Sequence, residues 1–412
     1  MKASVGDLAL FGGVPEFATP LHVGQLNLPP FEDFEASFRD IFRRRFFTNH
    51  GPLVRTLDER LARRLGVRHA ICVANGTVAL MVACAALDLR DEVIVPAFTF
   101  PATVQALSWA GLTAVFCDVD PYAQTITAEL VEPLITERTS AVLGVHLWGR
   151  ACDPDRLLDL CRRYDLKLLF DAAHAIDCTF GGRLVGGFGD LEVFSFHATK
   201  ILGSAEGGAL TTNDDELAAR IRTARNFHGA ETFAEVALRI NGKMSEAQAA
   251  MGLLALDHLD EWGARNRELY HRHQQRAGSL SGVSFLDHAG AERSNYQYCV
   301  IGLDAALDLS RDELRQILEA EGIHARRYFF PGMHRTPPYG DMSADPDRPL
   351  PVTDRLCALT LQLPLGSGMD TRQVNRIWEV IEFCLGHGRD VRRALDSARQ
   401  GNRPARPLTA TS

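Results

Sequence analysis

VFSFHATKILGSAEGGALTT, Val193 to Thr212, is the stretch whose reading decides the fold. Its first residues alternate as a strand does, with Phe194 and Phe196 on one side and Val193 and Ser195 on the other. A turn of His197, Ala198, Thr199 and Lys200 follows. A second turn, Glu206-Gly207-Gly208, leads into 209–212, which again reads as a strand. A lysine just past the end of a core strand is unusual, because desolvating an ammonium is costly. That cost becomes useful where the amine must be neutral to attack a carbonyl. Lys200 is therefore a candidate Schiff-base lysine; a solvent-facing loop lysine is the competing reading.

Working outward, the chain before this stretch alternates short apolar strands with helices. The strands are expected at 70–74, 92–95, 114–117, 141–145, 167–170 and 191–196, with helices at 78–87, 102–110, 128–135 and 154–164. Such alternation gives a mostly parallel central sheet flanked by helices, with ligands collecting at the carboxyl ends of the strands. Residues 1–30, with Gly12, Gly13 and several prolines, read as an irregular arm, and 31–47 and 53–65 as amphipathic helices. Beyond Asn213 a helix is expected at 215–226 and a long helical stretch at 244–276, broken near Gly263. A smaller α+β unit follows, with strands at 298–303 and 324–328 and helices at 311–321 and 371–385. The expected division is an arm (1–30), a large α/β domain (31–262), a small α+β domain (263–388) and a disordered tail (389–412).

Composition narrows the function. The 412 residues are 46% hydrophobic and 23% charged, ample for a sizeable core. A net charge of −8 argues against nucleic acid or an acidic membrane as partner. The nine cysteines form no CxxC pair, so neither zinc nor a disulfide framework is indicated. No apolar run approaches the ~18 residues of a membrane span, and the expected location is the cytoplasm.

Three further constellations carry chemistry. Asn75-Gly76-Thr77 closes a strand and opens a helix, whose free N–H groups and positive dipole end suit a phosphate; an ordinary helix cap is the alternative. Asp171 ends a buried strand and needs a cationic or hydrogen-bonding partner, which a pyridinium nitrogen would supply; it could equally cap a helix. His174 follows three residues later. Phe98 or Phe100, after the strand EVIVP, could stack on a flat ring. Phosphate cup, aromatic wall, acid and amine fall at successive strand ends of one sheet, which is what pyridoxal phosphate requires.

The motifs NGTVAL (75–80), EVIVPAFTFPAT (92–103), GVHLWGR (144–150), FDAAHA (170–175), FGDLEVFSFHATK (188–200), EGGALTTND (206–214), RNFHG (225–229) and NGKMSEAQAAMG (241–252) resemble those of the DegT/DnrJ/EryC1/StrS family of sugar-nucleotide aminotransferases. The resemblance implies the fold-type I architecture of pyridoxal-phosphate enzymes. It makes Lys200 the lysine that binds the cofactor, Asp171 the partner of the pyridine nitrogen, His174 a neighbour of the ring and Phe100 the stacking aromatic. Gly76, Thr77 and Ser195 would hold the phosphate, and Asn241 would reach it from the neighbouring subunit of a homodimer with shared active sites. Within the family, GVHLWGR and RRYFFPGMH most resemble 4-aminotransferases of deoxysugar pathways. That likeness implies a dTDP-linked 4-keto-6-deoxyhexose as acceptor, L-glutamate as donor and dTDP-4-amino-4,6-dideoxy-D-glucose as product. His146, Trp148, Tyr328, Phe329 and His334 are then candidate sugar or base contacts, and Arg225 and Arg239 candidate partners of the glutamate carboxylate. A 3-keto acceptor, a pyridoxal-phosphate lyase and a non-catalytic regulator are the alternatives.

Overall fold

The central sheet is built by seven strands: β1 (His69–Val73), β2 (Glu92–Pro96), β3 (Thr113–Cys117), β4 (Thr139–Val145), β5 (Lys167–Asp171), β6 (Leu191–Ser195) and β7 (Gly208–Thr212). In this computed structural model, which describes residues 2–227, 234–288 and 292–400, their spatial order is β1-β7-β6-β5-β4-β2-β3. All neighbours pair parallel except β7, which runs antiparallel to both β6 and β1. The stretch Val193–Thr212 thus places Lys200 in the loop between two paired strands, and β7 stitches β1 to β6. The strands are predominantly apolar and largely buried, as a helix-covered parallel sheet requires.

Helix α1 (Pro52–Leu65) shows how the local sequence sets its element. Pro52 opens it, Gly66 at φ 68 closes it, and Val54, Leu57, Leu61 and Leu65 form its buried face. Helices α2 (Gly76–Ala86) and α3 (Pro101–Trp109) follow β1 and β2 directly, so their N-termini lie at the carboxyl ends of those strands.

Two hydrophobic cores organise the molecule. The first surrounds the central sheet. The second joins Leu8, Phe17 and Leu21 of the N-terminal segment to residues from Leu269 onward. Around it lie an antiparallel sheet of Val283–Phe285, Cys299–Leu303 and Thr360–Leu363 and the helices Arg311–Ala320 and Thr371–Gly386. Leu21–His22 adds a short parallel pairing to Ile323–His324, so the first segment is knitted into the second core rather than laid over it.

Two expectations are corrected. The long helix runs unbroken from Glu246 to Ala277. Gly263 has no neighbour that needs a bend, and the capping box of Ser245 and Gln248 fixes the start. The segment after 388 is not a disordered tail up to Gln400. Gly388–Gln400 is a helix whose Val391 and Leu395, four residues apart, sit in the second core. Its high arginine content hid that narrow apolar stripe. Residues 401–412 lie outside the described residues. Among the described residues no helix is long and apolar enough to cross a membrane.

Candidate active site

A cleft of about 420 Å³ opens over the carboxyl ends of the central strands. Gly76, Thr77, Phe100, Asp171, His174, Ser195, Lys200 and Tyr328 all line it. Eight residues expected from sequence thus meet, although they span more than 250 residues of chain.

The amine is held by the loop that carries it. Lys200 N–H donates to the His197 carbonyl at 2.8 Å. Gln297 clamps both flanks, its Nε2 donating to the Thr199 carbonyl and its Oε1 accepting from Ile201 N–H, each at 2.9 Å. Lys200 Nζ donates to Tyr298 Oη at 2.9 Å. Burial pushes the amine down to about 8; Asp171 opposes that shift and Arg326 adds to it. A lysine near 8 is neutral in a useful fraction of molecules at physiological pH, which nucleophilic and base chemistry need.

Asp171 ends β5. Its Oδ1 accepts Ala173 N–H at 3.0 Å and its Oδ2 accepts the Thr103 hydroxyl at 2.8 Å. The Thr103 hydroxyl is in turn 2.8 Å from Thr99 Oγ1, at the cleft wall. Burial raises the carboxyl, while the Ala173 and Thr103 hydrogen bonds and the Lys200 charge hold it back. His174 is neutral: burial and the Lys200 charge press it well below its usual value, and its Nδ1 accepts Trp148 N–H at 3.4 Å. Its ring lies 4.3 Å from Tyr298.

The anion cup forms where β1 meets α2. Asn75 Oδ1 takes the Val78 N–H at 2.9 Å, capping the helix, while Gly76 and Thr77 face the cleft opposite Ser195. A Cβ on Gly76 would stand 2.9 Å from Ser195 Cβ, so glycine is what lets strand end and helix start approach this closely. Phe100, 45% exposed, stands at the cleft wall edge-on to Tyr328, whereas Phe98 is buried.

Several expected contacts lie elsewhere. His146 is fully buried behind Asp171, its Nε2 bonded to Glu192 at 2.9 Å and its ring stacked on Phe170. It completes a core ion pair and does not reach the cleft. Trp148 and Phe329 are buried and stacked on one another behind His174, so they back the wall without lining it. His334 is tied to Asp354 at 3.0 Å, away from the cleft. Arg225 is buried with its guanidinium on the Cys72 carbonyl, and Arg239 does not line the cleft. Asn241 is exposed, accepts from Lys243 Nζ and is absent from the lining of its own cleft. His228 and Gly229 of RNFHG lie outside the described residues. Conversely, sequence reasoning missed Tyr298, Thr103, Gln297, Arg326 and Gln362. Thr103, Gln297 and Tyr298 meet Asp171 and the Lys200 loop across 68 to 98 positions, and nothing local in the sequence says which way they face.

The aminotransferase model for DegT/DnrJ/EryC1/StrS proteins matches residues 31–382, most of the chain. The chain belongs to the DegT/DnrJ/EryC1/StrS aminotransferase family. A solved structure, DesI in the presence of its TDP-sugar product, has a TM-score of 0.91 and 41% identity over 95% of this chain and 100% of that chain. The dTDP-4-amino-4,6-dideoxy-D-glucose transaminase of Shigella dysenteriae is 38% identical over 76% of this chain and 85% of its own. The UDP-N-acetyl-3-dehydro-alpha-D-glucosamine 3-aminotransferase of Acidithiobacillus ferrooxidans is 34% identical over 81% of this chain and 89% of its own.

As a DegT/DnrJ/EryC1/StrS aminotransferase, the chain uses pyridoxal phosphate. The cleft fits that group. A helix N-terminus without a blocking Cβ faces Ser195 for the phosphate, a buried carboxylate with two hydrogen-bond donors is available for a cationic ring nitrogen, and a partly neutral amine is available for the aldehyde.

Proposed function

We propose that the chain is a sugar-nucleotide aminotransferase that moves the amino group of L-glutamate to C4 of a dTDP-linked 4-keto-6-deoxyhexose, giving dTDP-4-amino-4,6-dideoxy-D-glucose. The observation that carries the reading is the 0.91 TM-score to DesI with its TDP-sugar product, over nearly the whole chain. The Shigella transaminase supports the same product.

When bound, the cofactor supplies an aldehyde that takes up amines and a ring that accepts the electrons of a carbanion at Cα. The protein's residues do the rest. Gly76 and Thr77 N–H groups, with Ser195, would hold the phosphate. Asp171 would keep a proton on the ring nitrogen. Phe100 would supply the stacking aromatic and neutral His174 would stand beside the ring. Lys200 Nζ, its proton loosened by burial and its position steadied by Tyr298, would take the Cα proton of the donor as general base and return it as general acid. Tyr328 and the open end of the cleft receive the sugar.

The active unit is proposed to be a homodimer with shared sites. Asn241, exposed and outside its own cleft, is free to serve the partner's phosphate cup. Phe31, Phe42, Phe46 and Phe47 are each at least 41% exposed, an apolar surface that a second copy would cover.

Amination at C3 is the second reading, favoured by the name of the Acidithiobacillus relative. A cysteine-dependent lyase is disfavoured, because all nine cysteines are buried, and burial pushes thiols such as Cys178 up to about 12. A purely regulatory role would leave the Lys200–Asp171 pair without use. The test is to incubate the loaded enzyme with glutamate and each keto-sugar nucleotide and to locate the new amine by NMR. Amine at C4 of the dTDP-sugar is expected; amination solely at C3, or of a sugar without its nucleotide, overturns the assignment.

A further inference from the structure

Gln362 lines the cleft, yet it is only 2% exposed and its Oε1 has no hydrogen-bond partner. No step of the amination described above uses it. Its backbone is fixed on both sides. On one side Gln362 N–H donates to the Arg326 carbonyl at 2.7 Å, and the Gln362 carbonyl accepts Arg326 N–H at 2.9 Å. On the other it stands opposite Val300 in the antiparallel sheet. Val300 is two residues beyond Tyr298, whose Oη accepts from Lys200 Nζ at 2.9 Å. Side chains two apart along an extended chain share a face, so the Gln362 amide belongs to the side of this sheet that meets the reacting amine. The nearby Arg326 directs its Nη1 to Tyr328 Oη at 3.1 Å.

A buried acceptor without a partner is costly, and only a hydrogen-bond donor completes it. That requirement sorts the groups that enter the cleft. The cofactor phosphate and the two carboxylates of glutamate offer acceptors. The α-amine of glutamate is directed at the cofactor aldehyde. The sugar brings hydroxyls, each a donor as well as an acceptor. In a 4-keto-6-deoxyhexose the carbon on one side of the carbonyl, C3, bears a hydroxyl. The carbon on the other side, C5, bears a methyl group and the ring oxygen and has nothing to donate. Both substrates react at one point, so C4 of the sugar takes the place that Cα of glutamate held. The C3 hydroxyl is then one carbon from the atom served by Lys200.

We propose that Gln362 recognises the C3 hydroxyl of the acceptor sugar, its Oε1 accepting the O–H, and so selects sugars with a hydroxyl beside the carbonyl. The inference rests on the reading of the chain as a 4-keto-sugar aminotransferase and assigns a residue to its specificity. The nucleotide has donors of its own, the 3′-hydroxyl of the deoxyribose and the N3–H of thymine. Both lie beyond the diphosphate, away from the reacting carbon. A site built to pair with a hydroxyl rejects the analogue that lacks it, because the buried acceptor is then left alone.

The experiment pairs a change in the enzyme with a change in the sugar. With the cofactor-loaded protein and glutamate, kcat/KM is measured for dTDP-4-keto-6-deoxy-D-glucose and for its 3-deoxy and 3-deoxy-3-fluoro analogues. Fluorine keeps an electronegative atom at C3 but has no proton to donate. Calorimetry titrates the same protein with unreactive dTDP-6-deoxy-D-glucose, with its 3-deoxy analogue and with dTDP alone. The wild type should disfavour both altered keto-sugars roughly 10- to 100-fold, the effect of leaving a buried acceptor unpaired, and should bind the unreactive 3-deoxy sugar more weakly in the same sense. Gln362→Met, of similar length but without the amide, should no longer prefer the parent sugar in either measurement. dTDP alone should bind both proteins within about twofold. A merely structural role for Gln362 would weaken all the sugars alike and keep the wild-type preference, which overturns the proposal. So would a wild type indifferent to the C3 hydroxyl. A fluoro sugar used as well as the parent would show that the C3 group accepts rather than donates, and weakened dTDP binding in Gln362→Met would move the contact to the nucleotide; each overturns the assignment. In all these cases amination of the parent at C4 leaves the proposed function standing. A wild type that aminates the parent solely at C3, or not at all, sinks the function itself and this residue's role with it.

Discussion

Lys200 and Asp171 were legible as residues because each sits where its type is costly, at a buried strand end. Their environment was not, because Tyr298 and Thr103 reach them across 98 and 68 positions. The lowered lysine has consequences for pH. In the cofactor-free protein, labelling of Lys200 by an amine reagent should show a midpoint near 8 rather than the ordinary 10.5. The folded value is depressed, so the unfolded chain binds the extra proton, and the stability cost is full below pH 8 and fades as pH rises toward 10.5. Lys200→Met should therefore raise the cofactor-free melting temperature at pH 7, with the gain shrinking above pH 8, while abolishing turnover. A gain that grows with pH would contradict the buried-charge account. Asp171→Asn removes the charge that holds the ring proton and should slow turnover on the order of 10²-fold or more, with a smaller loss of cofactor affinity. Thr103→Val strips one hydrogen bond from Asp171 and should raise its carboxyl further, and Thr103→Ser should restore it. A pH–rate profile of the three variants reads that shift directly; identical profiles would remove Thr103 from the site.

At the scale of elements, periodicity and caps carried most of the fold. The βα alternation set the sheet, and the β1–α2 junction announced its anion cup through Asn75-Gly76-Thr77. Gly76→Ala should weaken cofactor binding about 10-fold or more in a direct titration, because the new Cβ meets Ser195 Cβ at 2.9 Å and neither is on a flexible end. Where the pattern failed, it failed for readable reasons. Gly263 suggests a break, but a glycine with open space around it is merely a weak helix residue. Gly263→Ala should accordingly stabilise the protein by roughly 0.5–1 kcal/mol in denaturant unfolding; a loss would reveal a contact or bend at that turn. The helix Gly388–Gln400 was hidden by its charge, since only Val391 and Leu395 mark its buried stripe. The aromatic residues His146, Trp148, Phe329 and His334 misled for the opposite reason. Proximity in sequence to site motifs does not say which way a side chain points, and three of them are buried in the core.

For the whole molecule, a single chain assembles amine, acid and cup, yet one residue expected at the cup, Asn241, faces outward. Gly242 beside it is bound to the end of β1, its carbonyl accepting Ala74 N–H at 2.7 Å, so the segment is held at the edge of the cup while the Asn241 side chain stays outside it. A neighbouring face bears Phe34, Phe38, Phe42 and Phe47 as a ladder of rings 5.1–5.7 Å apart, which a second copy would shield from water. If the two facts belong together, each active site takes Lys200 from one subunit and Asn241 from the other. Lys200→Ala lacks its base, and Asn241→Asp sets a carboxylate against the phosphate; each homodimer should be inactive. In a mixed dimer one site inherits both defects and the other inherits neither. An equal mixture, allowed to exchange, should recover about a quarter of the wild-type sites, since half the dimers are mixed and each has one intact site. Were Asn241 to act within its own subunit, every site in the mixture would carry one defect and no activity would return. Native mass spectrometry on the same mixture establishes that subunits have exchanged, so an inactive mixture with proven mixed dimers rules out the shared site.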